Sequence, residues 1–274
     1  MVYKFDNKKY YLLFAYILIL TTTIFFINGF SLSPLSPLSF LDGAENSTFL
    51  SQPLHFITKD KYKLPILCYH NISEKVVGDE SLCISPKEFE KHMEFLKEHD
   101  FTPIHFADLE NLSSIHRPVL ITFDDGYENN FSDAYPILKK YNFKASIFLI
   151  SDTVDKAGYL SEGQIKNMLD LVDFQSHTKT HPLLSKISPE AMENEFKVSN
   201  ERIEALSGKK VLALAYPTGD YNLLVESMAS KYYQYATTTV TGVNWSGESP
   251  YAMKRIYITK GLSFYKVERR LLLW

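Results

Sequence analysis

The chain has 274 residues, 45% apolar and 22% charged, so it can bury a sizeable core as one large α/β domain or two small ones. Its net charge of −3 argues against nucleic acid as the main partner, because neutralising phosphates needs an excess of Lys and Arg. A neutral polymer stays compatible, and an aromatic content of 14% suits sugar binding, although most of those rings should be core.

Lys4, Lys8 and Lys9 precede an uncharged apolar stretch from Tyr10 to Phe30. About 20 such residues span the ~30 Å hydrocarbon layer of a membrane. No Lys or Arg follows until Lys59, so the positive-inside rule predicts residues 1–9 as a cytoplasmic basic stub. Residues 10–30 then form a single-pass anchor in the cell membrane, with the remainder outside. The exit Phe26-Ile27-Asn28-Gly29-Phe30-Ser31 lacks a small-x-small cleavage pattern, so an uncleaved anchor is expected. Cleavage would make the protein secreted. Residues 31–60 are Pro/Ser-rich and predict an extended tether, which leaves residues 61–274 as the folded domain.

Within that domain Pro65 to His70 reads as a strand. Ser85-Pro86-Lys87-Glu88 is a capping box that opens a helix to about His99. Pro118 to Phe123 is a fully apolar strand, followed by a helix from about Phe131 to Tyr141 and a strand from Ala145 to Ile150. A helix near Ser161 to Leu171 leads into a strand from Leu171 to Gln175. Ser188-Pro189-Glu190 opens a long helix that Gly208 should stop. Strands at Val211 to Tyr216, Tyr235 to Thr239 and Arg255 to Ile258 complete the series. Strand-helix alternation with about seven strands predicts an α/β fold, a (β/α) barrel or incomplete barrel with a parallel sheet. No G-x-G-x-x-G follows the first strand, which removes the main reason to propose a dinucleotide domain. Cys68 and Cys83 lack C-x-x-C spacing. One disulfide or two separate thiols, with Cys68 buried in a strand, are both open to them.

In such folds catalytic residues gather at the carboxyl ends of strands. Thr122-Phe123-Asp124-Asp125-Gly126 ends one of them. Adjacent side chains on a strand point to opposite faces, so Asp124 and Asp125 share a site only if the strand breaks, and Gly126 supplies a break. Ser176-His177-Thr178-Lys179-Thr180-His181-Pro182 ends another, with two histidines spaced to lie on one face of a helical turn. Either motif alone is commonplace: an Asp-Gly turn, or a solvent-facing histidine pair. Together they offer a carboxylate and two imidazoles, the donor set of a catalytic zinc site with an open position, plus a second carboxylate free to act as base.

These two motifs resemble the first two of the polysaccharide deacetylases, the NodB-homology group or carbohydrate esterase family 4, over roughly Leu64 to Trp274. The resemblance implies a distorted (β/α) barrel that removes acetyl groups from N-acetylglucosamine polymers, usually with zinc. It assigns Asp124 as base and Asp125, His177 and His181 as metal ligands. The family's third motif, Arg-x-Pro-aromatic-Gly, is here Ala215-Tyr216-Pro217-Thr218-Gly219. Thr218 then supplies the backbone N–H for the oxyanion, and the missing Arg leaves Arg255 as a substitute cation or a barrel-end ion pair. The histidine that many members carry near the carboxyl terminus as general acid has no counterpart, since none follows His181. Of His55, His70, His92, His99, His105 and His116, only His70 ends a strand. Its Tyr69-His70 resembles the rearranged subgroup that includes poly-N-acetylglucosamine deacetylases, where the acid comes from an early Tyr-His. Trp245 is a candidate to stack on a sugar ring or to support a loop. The degenerate third motif also keeps open a non-catalytic wall-polysaccharide-binding or scaffold protein, and the undistinctive loops keep open a non-sugar amide as substrate.

Overall fold

A computed structural model describes residues 62–75 and 78–272. The expected anchor, tether and basic stub lie outside them. Among the described residues no helix is long and apolar enough to cross a membrane.

Seven strands form the wall of the domain: β2 (Ile66–Tyr69), β6 (Pro118–Phe123), β7 (Ala145–Leu149), β8 (Val172–Ser176), β9 (Ala213–Ala215), β10 (Tyr235–Thr241) and β12 (Met253–Tyr257). They run parallel in the order β2-β12-β10-β9-β8-β7-β6, and β2 pairs again with β6, which closes the ring. The barrel is therefore closed, not incomplete. It is distorted where β8 and β9 share one register pair, Ser176 with Leu214, and where β10 and β12 slip register. At the β8–β9 seam, Gln175 Oε1 accepts from the backbone N–H groups of Leu212 and Ala213, replacing ladder bonds that the strands do not make.

The shorter strands were not legible in the sequence. β1 (Lys63–Leu64) pairs antiparallel with β11 (Asn244–Trp245), and β3 (Asn71–Ile72) pairs with β4 (Cys83–Ile84). β5 (Thr102–Ile104) carries Pro103 and lies at the sheet's end beside β6, where a residue without an N–H is tolerated.

Alternation along the strands sorts side chains into two cores. Ile66, Leu120, Phe148, Ala213, Tyr235 and Met253 face inward, where Phe106, Leu109 and Leu112 of a 3-10 segment join them. Leu67, Ile121, Ile147, Phe174, Leu214 and Ile256 face outward under the helices. Helix α1 (Pro86–Glu98) is capped by Ser85, which accepts from Glu88 N–H, and buries Phe89, His92, Met93 and Leu96. α2 (Tyr135–Tyr141) is preceded by a π-turn, Asn130–Ala134, in place of a continuous helix from Phe131. α3 (Glu162–Asn167) is shorter than expected. α4 (Pro189–Ser207) starts from the Ser188 cap and stops at Gly208, whose φ of 68° suits a residue without Cβ. α5 (Leu223–Ala229) and α6 (Phe264–Leu272) complete the outer layer. Cys68 and Cys83 are both free and buried.

Candidate active site

The carboxyl ends of β2, β6, β8 and β12 converge on one group of polar side chains. Asp124 continues the β6 ladder, its N–H donating to the Tyr69 carbonyl at 2.9 Å, and its side chain follows Leu120 and Thr122 into the barrel. The next residue turns the chain. Asp125 itself has a φ of 73°, and Gly126 follows at 79°. The strand thus breaks one residue earlier than Gly126, and the left-handed Asp125 brings its carboxylate to the side where Asp124 lies. Asp is among the few residues that adopt this conformation readily. A Cβ on Gly126 would fall 2.6 Å from Leu149 Cδ2, so the turn is also pressed against β7.

The segment after β8 is not the helical turn that the histidine spacing suggests. Thr178 and His181 both have positive φ, 66° and 64°, and the backbone bends between them. Two side-chain contacts hold the bend. The Thr178 hydroxyl accepts from His181 N–H at 3.0 Å. Glu195 of α4 accepts from the N–H and the hydroxyl of Thr180 at 2.8 and 2.7 Å. A buried glutamate among Met192, Phe196 and Ser199 breaks the apolar stripe of that helix, and this is the signal by which sequence reasoning could have found it.

The result joins three of the expected residues. His177 Nδ1 donates to the Ala215 carbonyl at 2.8 Å, which leaves the Nε2 lone pair turned to Asp125 Oδ1, 3.5 Å away. His181 Nε2 lies 3.8 Å from that oxygen. The ligand atoms of Asp125, His177 and His181 all lie within 4.8 Å of one another. The two side chains nearest solvent, His181 and Asp125, stay 30% and 14% exposed, so the cluster is open on one side. One carboxylate and two imidazoles with a fixed tautomer and an open face fit a divalent metal ion. Burial pushes both histidines below their ordinary pKa, towards the neutral form that ligation requires. Burial likewise raises Asp125, against the charge of His177.

Asp124 is held from within the barrel. Arg255 grips it with two bonds of 2.7 Å, Nη1 to Oδ1 and Nη2 to Oδ2, while Arg255 Nε donates to the Thr238 carbonyl. Burial alone would raise the Asp124 carboxyl, but Arg255, followed by His177, overrides it and holds the acid well below the usual carboxylate range. Cys68 Sγ adds a weak bond to Oδ2 at 3.6 Å. His70 lies 3.8 Å from the same oxygen, and the Asn130 side chain pins its carbonyl at 2.8 Å. Burial lowers its pKa, with the charge of Asp124 opposing.

Thr218 sits in a 3-10 turn at a φ of 55°, three residues past the Ala215 carbonyl that fixes His177. The following Gly219 is obligatory, because a Cβ there would fall 2.1 Å from Thr239 Oγ1. Trp245 is remote from this cluster. Its strand, β11, pairs with β1, which leads into the opposite end of β2, and Trp245 lines a cleft with Tyr62, Leu109 and Met253. The sequence did not point to Cys68 or Asn130 as parts of the site, because each acts through a neighbour that only folding supplies.

Comparison with known proteins bears on the family of the chain. The family model for polysaccharide deacetylase matches residues 113–257. A Bacillus subtilis protein classed with the polysaccharide deacetylases is 35% identical over 213 residues, 75% of each chain. A Bacillus cereus polysaccharide deacetylase of known structure superposes with a TM-score of 0.74 at 35% identity, covering 77% of this chain and 69% of that one. A poly-beta-1,6-N-acetyl-D-glucosamine N-deacetylase of Staphylococcus epidermidis is 28% identical over 196 residues, covering 64% of this chain and 68% of that protein. With the family model spanning more than half its length, this chain belongs to the polysaccharide deacetylase family.

Proposed function

We propose that this protein hydrolyses N-acetyl groups from an N-acetylglucosamine-containing polysaccharide, an exopolysaccharide or cell-wall polymer, releasing acetate. One observation carries the reading: a carboxylate held ionised by Arg255 stands beside an independent Asp-His-His donor set at the same barrel end.

Asp124 is the general base, accepting a proton from the water that attacks the acetamide carbonyl. Arg255 keeps it ionised and fixes both oxygens, so the acceptor lone pair is pre-aimed. His70 gives a proton to the departing nitrogen as the C–N bond breaks. The backbone N–H of Thr218 donates to the oxygen on which negative charge develops. Asp125, His177 and His181 would hold a divalent ion, Zn2+ by the chemistry of the donor set. Such an ion, when bound, lowers the pKa of water and polarises a carbonyl. The apolar segment 10–30 and the Pro/Ser-rich segment 31–60 support a cell-membrane anchor that holds the domain outside the cell, within reach of such a polymer.

Acetate release by the purified domain should be measured against poly-N-acetylglucosamine, peptidoglycan fragments and acetylated chito-oligosaccharides. Asp125→Ala and His177→Ala should lose bound metal by elemental analysis. His70→Ala should retain metal and slow turnover by about 10²–10⁴-fold. Release of acetate from none of these polymers by the metal-loaded protein would sink the reading in favour of a non-catalytic polysaccharide-binding role. Membrane fractionation of the full chain against one lacking residues 1–30 tests the anchor.

A further inference from the structure

The His70 ring reaches the site through one nitrogen. Its Nε2 lies 3.2 Å from the Tyr257 hydroxyl and 3.8 Å from Asp124 Oδ2. Its Nδ1 is buried without a partner among the described residues. Tyr257 follows Arg255 by two positions on β12, so both side chains point into the barrel. The Tyr257 and His70 rings meet edge to face, 5.2 Å between centroids at 67°. His70 itself is 5% exposed, whereas Tyr257 is only partly buried and lies nearer the open face.

A neutral imidazole carries its proton on one nitrogen, and the surroundings choose which. A proton on Nδ1 would be a buried donor with no acceptor, which is destabilising. A bare lone pair there is more tolerable, since buried acceptors go unpaired more often than buried donors. On Nε2 the proton finds the Tyr257 oxygen.

We propose that Tyr257 is the positioning residue for His70: its hydroxyl oxygen accepts from Nε2–H and holds that tautomer with the proton on the Asp124 side of the ring. The inference rests on the reading of His70 as proton donor in deacetylation. Tyr257 has a second consequence for the charged ring, whose added proton sits on the unpartnered Nδ1: the acceptor at 3.2 Å from Nε2 stabilises the imidazolium and so partly offsets that orphaned donor. The other titratable and charged groups facing His70 are Asp124 and Arg255 in the barrel wall, Asp79 from the turn before β4, and His181. All four remain in a Tyr257→Phe variant, so the difference between variant and parent isolates the hydroxyl.

The experiment compares Tyr257→Phe, His70→Ala and the parent protein, metal-loaded, in acetate release and in ¹⁵N NMR of the histidine rings. Phe keeps the ring contact, and thermal unfolding checks that the fold is retained. The NMR of the parent should show His70 protonated at Nε2, and the variant should lose that preference. In kinetics, kcat should fall about 10-fold with KM nearly unchanged, the loss expected for one hydrogen bond to a charged group. Without its acceptor the imidazolium is less stable, so the basic limb of kcat/KM should move down by about one pH unit. A parent His70 protonated at Nδ1 overturns the inference, as does a variant with unchanged kcat and unchanged basic limb. A parent that releases no acetate, or a fully active His70→Ala, instead overturns the reading beneath it, and the ring tautomer still decides the contact.

Discussion

Asp124 is a carboxylate sealed inside a barrel, and an unpaired charge there would be destabilising by several kcal/mol. Arg255, itself fully buried, is what makes the charge tolerable, and the pair works only as a pair. Removing one partner strands the other. Arg255→Met should therefore reduce stability by about 3–5 kcal/mol in urea unfolding. Arg255→Lys should recover part of that loss yet remain catalytically poor, since an ammonium cannot grip both oxygens. If Arg255→Met unfolds at the parent's urea midpoint, the ion pair is not what holds Asp124. The sequence left Arg255 open between a substitute for the missing cation and a barrel-end ion pair, because 131 positions separate it from Asp124 and nothing local links them.

At the level of elements, the geometry of the Asp125-His177-His181 cluster depends on segments that are neither helix nor strand. His177 directly follows β8, but His181 joins the cluster only because Thr178 and His181 adopt left-handed backbone and Glu195 ties down Thr180. Spacing alone suggests a helical turn, and the strain of two positive-φ residues, of order 1–3 kcal/mol each, is held by the neighbouring helix instead. Glu195→Gln keeps one acceptor for Thr180 and removes the charge. We expect it to bind zinc about 10–100-fold more weakly, as support residues behind metal ligands typically do, with Asp125 and His177 unaltered. Zinc affinity equal to the parent's in a chelator competition would show that the bend stands without α4. The Gly126 turn offers a steric counterpart. Gly126→Ala places a methyl 2.6 Å from Leu149 Cδ2 at a φ of 79°, so it should lower the melting temperature, and an unchanged melting temperature would show that the turn has room for a Cβ.

For the whole molecule, the barrel, α1 and α6 meet at His92. Its Nδ1 lies 3.0 Å from the hydroxyl of Tyr69 on β2, and its ring stacks on Phe264 at 4.8 Å and 11°. Burial lowers its pKa to about 4. The unfolded chain therefore takes up this proton more readily than the folded one between about pH 6.5 and pH 4. His92 contributes stability that is complete above about pH 6.5 and is lost as pH falls through that window, on the order of 3 kcal/mol in all. The lowered pKa values of His70, His177 and His181 act in the same direction. In metal-free protein, urea unfolding from pH 8 to pH 4 should show a falling stability whose slope is shallower in His92→Gln than in the parent. Parallel slopes would remove His92 from the account. Much of the molecule was open to reading from the chain alone: the seven wall strands by their apolar runs, α1 and α4 by their serine caps and prolines, and Asp124, Asp125, His177, His181 and His70 by their place at strand ends. Such features are local, set by backbone preference and by the alternation of side chains along a strand. Closure of the ring, the seam between β8 and β9, the left-handed turns, Arg255 on Asp124, and Tyr257 on His70 were decided only by the tertiary structure. They depend on which segments become neighbours, and a residue's sequence context carries no record of such a partner, whether 15 positions away, as Glu195 is from Thr180, or 187, as Tyr257 is from His70.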